Sequence, residues 1–109
     1  MLKIFLIILL VFNIIKINAK DLNGDLFIDQ LFKWKIDYKK LENNKSGAAC
    51  IPIGENGYEA LGISFQLADL TNAKKIAIDG CIKMKKKNKI LSDCNCEIIF
   101  INNKFIGGK

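Results

Sequence analysis

The four cysteines, Cys50, Cys81, Cys94 and Cys96, are the residues of this 109-residue chain with the clearest chemical potential. Cys94 and Cys96 flank a single asparagine, and such a C-x-C pair can form a redox couple or supply two thiolate ligands to a metal. The other two cysteines could complete a four-cysteine zinc site, or all four could form disulfides. Four cysteines allow three complete pairings, so the count alone leaves the connectivity open.

Other groups that could support catalysis are scarce. The chain contains no histidine, the residue that most often acts as the general base for a nucleophile. Its aspartates and glutamates show no distinctive spacing, and the C-x-x-C spacing common in zinc sites is absent. We therefore expect no catalytic residue, no cofactor and no metal, and a protein that is not an enzyme. The alternative is a thiol redox or metal-binding protein that uses Cys94 and Cys96.

The first 19 residues have the pattern of a secretory signal peptide. Lys3 precedes the apolar run Ile4–Ile15, and small Ala19 ends a plausible cleavage site. A membrane anchor is the weaker interpretation, because a span needs about 20 apolar residues and this run is shorter. Cleavage would leave an exported chain, periplasmic or extracellular, with all four cysteines. An even number of cysteines in so short an exported chain indicates a disulfide framework.

The basic charge comes from lysine alone. The chain has 17 lysines and no arginine against 11 acidic residues, a formal net charge of +6. Such a protein could approach anionic lipids, cell-wall polymers or nucleic acid, but without arginine it lacks bidentate phosphate recognition, which makes nucleic acid an unlikely partner. We expect a protein or an envelope component as partner and no membrane span after cleavage. The lysines of residues 83–89 are interpreted as favourable charges at a helix C-terminus rather than as a polyanion site.

Two apolar runs, Ala48–Ile53 and Leu61–Phe65, flank the turn signal Asn56-Gly57 and predict a β-hairpin. Residues 67–89 then predict a helix, with Asp69 or Thr71 as the N-cap. The residues at helical spacing on its expected buried face are Ala73, Ile76, Ala77, Cys81 and Met84.

Residues 96–103 predict a strand that is apolar on both faces, with Ile98 and Phe100 on one and Ile99 and Ile101 on the other. Asn102-Asn103 predicts a turn, and residues 104–106 a short returning strand.

The N-terminal segment allows two interpretations. Residues 32–39 alternate apolar and polar side chains, as in a strand, whereas Phe27, Leu31, Trp34 and Tyr38 follow helical spacing. The element is left undecided. Residues 42–47 are predicted to form a loop because of their composition.

Residues 48–106 resemble a family of small exported bacterial domains of unknown function. The resemblance lies in the glycine-containing hairpin, the helix pattern Ala73, Ala77, Cys81, and the strand opening Cys96-Glu97-Ile98-Ile99. It implies a disulfide between Cys81 and Cys96, which would leave Cys50 to pair with Cys94. It also implies a helix before the hairpin, which slightly favours the helical interpretation of residues 32–39.

Together these patterns predict an α+β fold with a β-hairpin, one crossover helix and a further strand in a small antiparallel or mixed sheet, in the order 2-1-3. The expected organisation is a signal peptide over residues 1–19, an N-terminal amphipathic segment and loop over 20–47, and a disulfide-stapled domain over 48–109. The expected function is that of a non-catalytic binding or interaction module at the bacterial envelope.

Overall fold

The computed structural model describes residues 19–107, which form the predicted α+β fold with two disulfides. The helices are α1 (Ala19–Lys33), a short 3-10 helix (Tyr38–Lys40) and α2 (Leu70–Lys87). The strands are β1 (Ser46–Ile51), β2 (Leu61–Ser64), β3 (Asn95–Ile101) and β4 (Lys104–Phe105). The predicted signal peptide lies outside the described residues, apart from Ala19 at the start of α1. Within residues 19–107, no helix is long and apolar enough to span a membrane.

The four strands form one antiparallel sheet in the order β2-β1-β3-β4. β1 and β2 form the predicted hairpin, and β3 lies beside β1 as the predicted order requires. Because β2 and β3 are each antiparallel to β1, they run parallel to each other, and α2 connects them. The tight turn of the hairpin is centred one residue earlier than predicted, on Glu55-Asn56, because Gly54 bridges Gly57.

Helix α2 packs closely on the sheet through small residues. Asp69 is the N-cap, and its carboxylate accepts a 2.8 Å hydrogen bond from the backbone N–H of Asn72. Ala73, Ala77 and Cys81 are fully buried. The prediction that Ile76 shares this face is wrong, since its side chain is 45% exposed. The contact face is narrow because the helix backbone approaches β2 directly, and this leaves a large side chain at Ile76 outside it.

Helix α1 covers the opposite face of the sheet. Phe27 and Leu31, one turn apart, are buried with Tyr38, Tyr58 and Phe100 in an aromatic cluster. The Phe27 and Phe100 ring centroids lie 5.3 Å apart. Gly47 lies directly under the Phe27 ring, where a Cβ would lie 2.6 Å from Cζ.

The strand interpretation of residues 32–39 is wrong. Helix α1 ends at Lys33, Lys35 reverses the chain with a φ of 64°, and Tyr38 begins the 3-10 helix. Phe32 and Trp34 are 63% and 51% exposed while Tyr38 is buried, so the alternation is not a buried strand face. The loop predicted over residues 42–47 is too long, because β1 already begins at Ser46.

The two-faced strand prediction for β3 needs one correction. Phe100 pairs with Gly47 and Ile98 with Ala48, so Ile99 is an extra residue that forms a β-bulge. The bulge places Ile99 and Phe100, predicted to lie on opposite faces, together in the aromatic cluster. The turn at Asn102-Asn103 and the returning strand are confirmed.

Candidate functional site

The four cysteines lie together on the face of the sheet that α2 covers, and they form two disulfides. Cys50 of β1 is bonded to Cys94 with a Cα–Cα distance of 5.2 Å, and Cys81 of α2 is bonded to Cys96 of β3 with a Cα–Cα distance of 6.0 Å. The second pair is the one that the resemblance implied, and the first is the pair that it left over. Cys94 and Cys96 are not bonded to each other. The C-x-C spacing instead places the ends of two separate bridges on either side of Asn95.

Each bridge has a different structural task. Cys94 lies in the segment before β3 and ties it to the middle of the sheet, whereas Cys96 lies within β3 and ties that strand to the helix above it. Cys50 is the cross-strand partner of Cys96, yet the two are not bonded to each other. Together the bridges fix both ends of residues 82–95 to the fold.

Access of a thiol to these bridges is restricted. Cys50, Cys81 and Cys94 are at most 1% exposed, and only Cys96 is partly exposed. Thiol–disulfide exchange requires attack of a thiolate on an accessible sulfur. Two disulfides are typical of proteins in an oxidising, non-cytoplasmic environment. Among the described residues, no group of three or more His, Cys, Asp or Glu side chains is arranged to hold a metal ion.

A cationic, apolar cavity opens beside the second bridge. It has a volume of about 650 Å³ and lies between the C-terminal turn of α2 and the segment that follows. Ile82, Ile90 and Leu91 supply apolar surface, and Lys85, Lys86 and Lys89 supply positive charge. The volume lies in the range of about 300–1,000 Å³ that is usual for ligand sites.

Leu91 is the most exposed large apolar side chain of the described residues, at 95%. Its neighbours are held by defined contacts. The Ile90 N–H donates to the Lys85 carbonyl at 3.1 Å, and the Lys85 ammonium donates to the Cys94 carbonyl. These hydrogen bonds hold the loop that carries Leu91 at Ile90 and at Cys94.

A smaller apolar groove of about 190 Å³ lies beside β2. Trp34, Ile36, Ile63 and Met84 line much of it, and it contains almost no polar surface. The backbone N–H of Leu61, in β2, points to the Met84 sulfur at 3.4 Å. This groove has no charged side chain in its lining.

A buried lysine was missed by the sequence analysis. Lys45 is fully buried, and its ammonium donates to the carbonyls of Tyr38, Lys39 and Leu41 at 2.7, 3.2 and 2.8 Å. The Tyr38 carbonyl also accepts the Leu41 N–H at 3.1 Å, so Lys45 adds a second donor there and supplies a donor to the carbonyls of Lys39 and Leu41. Burial lowers the pKa of Lys45, and the Asp37 carboxylate partly opposes that effect. No local pattern distinguishes this lysine from the exposed ones around it.

Two tyrosines, Tyr38 and Tyr58, are buried in the aromatic cluster. The Tyr38 hydroxyl donates to the Asn102 carbonyl at 2.7 Å, and the Tyr58 hydroxyl donates to the Asn23 carbonyl at 3.0 Å. Burial raises the pKa of both, that of Tyr58 to about 12. Both tyrosines belong to the aromatic cluster, which lies on the opposite face of the sheet from the cysteines. Neither is therefore placed to act as a catalytic acid for a cysteine.

No protein-family model, curated protein or solved structure matches this chain.

Proposed function

We propose that this chain is an exported, non-catalytic binding module that works in an oxidising compartment of the bacterial envelope. The observation that carries the proposal is the use of all four cysteines in two bridges that tie β3 and the segment before it to β1 and α2. Cysteines that form such structural disulfides stabilise the fold, and recognition of a partner is left to other side chains on the surface. The open cationic cavity is the surface best suited to it.

The arrangement of the sulfurs supports a structural role over a redox role. A C-x-C redox couple would have Cys94 and Cys96 bonded to each other, whereas each is bonded to a distant cysteine. Both sulfurs of the Cys50–Cys94 bridge are buried, so an attacking thiolate has access only to the partly exposed Cys96 of the other bridge. The export step is supported by the apolar N-terminal pattern and by the oxidising environment that disulfides indicate.

The test is the intact mass of the full chain after expression in an exporting bacterial host. We expect the exported form to begin at Lys20, to weigh four hydrogens less than the reduced chain, and to take up no alkylating label. Reduction under denaturing conditions before alkylation is the matched control and should add four labels.

Labelling of Cys94 or Cys96 without prior reduction, or catalytic reduction of insulin disulfides by the purified protein, would overturn the proposal in favour of the thiol redox alternative. Retention of the unprocessed chain in the cytoplasm would overturn its export.

A further inference from the structure

The surface around the cationic cavity carries unpaired positive charge. Lys85, Lys86 and Lys89 line the cavity, Lys83 and Lys87 belong to the same run of lysines on α2, and no acidic residue lies between Asp79 and Asp93 in the sequence. The only ion pair of the described residues is Lys40–Asp37, so none of the five is neutralised by a carboxylate. The negative end of the α2 dipole is equivalent to about half a charge, which the lysines outweigh. The surface therefore attracts anions.

The same surface presents apolar side chains outwards. Leu91 is 95% exposed and Ile82 39% exposed, and both line the cavity with Lys86 and Lys89. Single exposed apolar residues are common and need no explanation. Here they coincide with the densest positive charge of the chain, so one partner must satisfy both properties.

The segment that carries Leu91 is held before any partner arrives. It follows the end of α2 at Lys87 and precedes Cys94, so the helix holds its N-terminal end and the Cys50–Cys94 bridge fixes its C-terminal end. A pre-ordered segment loses less conformational entropy on binding than a flexible one. The helix and the bridge thus favour binding through this loop.

We propose that this surface binds an anionic lipid bilayer, with the lysines against the headgroup phosphates and Leu91 and Ile82 in the boundary between headgroups and acyl chains. Basic residues around exposed aliphatic side chains are the combination that binds the interface of anionic membranes. The inference rests on the proposed binding function and names the partner of that site.

Nucleic acid fits the surface less well. Stacking platforms for bases are aromatic, and no aromatic side chain lines the cavity. The charges are ammonium groups rather than the planar guanidinium groups that bind phosphate in a bidentate way.

The first experiment measures whether the side chain at position 91 inserts into the bilayer. The double variant W34F/L91W moves the single tryptophan of the chain to the tip of the loop, and the wild type keeps Trp34, which lines the other groove, as the matched probe. Both full chains are exported by the same host, so they share one N-terminus. They are mixed with vesicles of brominated phosphatidylglycerol and phosphatidylcholine, or of brominated phosphatidylcholine alone.

We expect strong bromine quenching of the tryptophan at position 91 on the anionic vesicles, and little quenching of Trp34. Equal quenching at both positions, or quenching at neither, would overturn the inference. The first of these results would mean that another part of the chain reaches the bilayer.

The second experiment tests the charges. In the W34F/L91W protein, the double change K86Q/K89Q, at two lysines that line the cavity, is compared with K33Q/K39Q, which removes the same charge from exposed lysines elsewhere. Each lysine near an anionic surface contributes about fivefold in affinity. We expect the first double variant to weaken vesicle binding about 25-fold and the second to weaken it less than about fivefold. Equal losses would overturn the inference, as would tighter binding to an RNA or DNA oligonucleotide than to the anionic vesicles.

Failure of this inference is distinguishable from failure of the proposed function. A fully bridged, catalytically inactive protein that does not bind anionic vesicles overturns only the membrane partner. Free thiols or exchange activity overturn the binding-module proposal itself.

Discussion

Gly62 of β2 and Gly80 of α2 face each other at the closest approach of helix and sheet. A Cβ on Gly80 would lie 3.4 Å from the Gly62 Cα, which is ordinary van der Waals contact. A Cβ on Gly62 would instead collide with the carbonyl oxygen of Ala77 and the amide nitrogen of Cys81. This close contact therefore requires glycine at position 62 but not at position 80.

This asymmetry predicts opposite outcomes for the two alanine variants. G62A should destabilise the fold by about 3 kcal/mol, because the atoms that the new Cβ meets belong to the helix backbone and cannot rotate away. G80A is the matched control and should be neutral or up to about 1 kcal/mol more stable, since alanine favours helix over glycine. Urea unfolding followed by circular dichroism measures both. Equal stability of the two variants would show that helix and sheet are not in such close contact.

Removal of the bridges should cost stability in the order of the loops that they close. Cys81–Cys96 spans 15 residues and Cys50–Cys94 spans 44. Loop-closure entropy then gives about 3 kcal/mol for the shorter loop and about 4 kcal/mol for the longer one. The double variants C81A/C96A and C50A/C94A should differ accordingly in urea unfolding under non-reducing conditions. A larger loss from C81A/C96A would indicate that packing of α2, rather than chain entropy, dominates.

Lys45 should be more important for stability than any exposed lysine. K45M preserves the length of the side chain but leaves the carbonyls of Lys39 and Leu41 without this donor and that of Tyr38 with the Leu41 N–H alone. Because buried acceptors without a partner are costly, we expect a loss of about 2–4 kcal/mol. K39M, at an exposed side chain of the same segment, should change the free energy of unfolding by less than about 0.5 kcal/mol. Unchanged thermal stability of K45M would contradict the role of Lys45 as a cap of the 3-10 helix.

The buried tyrosines predict a loss of stability at alkaline pH. Folding raises the pKa of Tyr58 from 10.0 to about 12, so between these values the folded state holds a proton that the unfolded state has lost. The stability contribution is therefore complete below pH 10 and declines as the pH rises through about 12, by about 1.4 kcal/mol at pH 11. Burial raises the pKa of Tyr38 as well and acts in the same direction, whereas the lowered pKa of Lys45 acts in the opposite one.

Y58F isolates the contribution of that tyrosine. The variant loses the hydrogen bond to the Asn23 carbonyl and should be less stable at neutral pH. Its free energy of unfolding should nevertheless fall less steeply than that of the wild type between pH 9 and pH 11. Parallel pH profiles of the two proteins would contradict the proposed ionisation of Tyr58.

The sequence predicted those parts of the fold that depend on local periodicity and turn chemistry. The hairpin, the helix with Asp69 as one of its two candidate N-caps, and the return at Asn102-Asn103 all follow from short patterns. The features that it did not predict depend on contacts between distant residues. Ile76 is displaced by the close helix–sheet contact, Ile99 by a bulge against β1, and Lys45 is buried because the 3-10 helix needs donors.

The candidate site was only partly predictable. The run of lysines was visible in the sequence, but nothing local indicated that Leu91 projects into solvent among them. A leucine after an isoleucine at the end of a helix more often continues the core.

The two bridges have a further consequence for the integrity of the chain. Any cleavage between Cys81 and Cys94, for example by a trypsin-like protease at Lys87 or Lys89, gives an N-terminal fragment with Cys50 and Cys81 and a C-terminal fragment with Cys94 and Cys96. Both disulfides cross that cut, so the nicked protein gains the mass of one water and stays covalently whole until it is reduced. The stretch that contains the run of lysines and the exposed Leu91 can thus be cut without separating the two fragments.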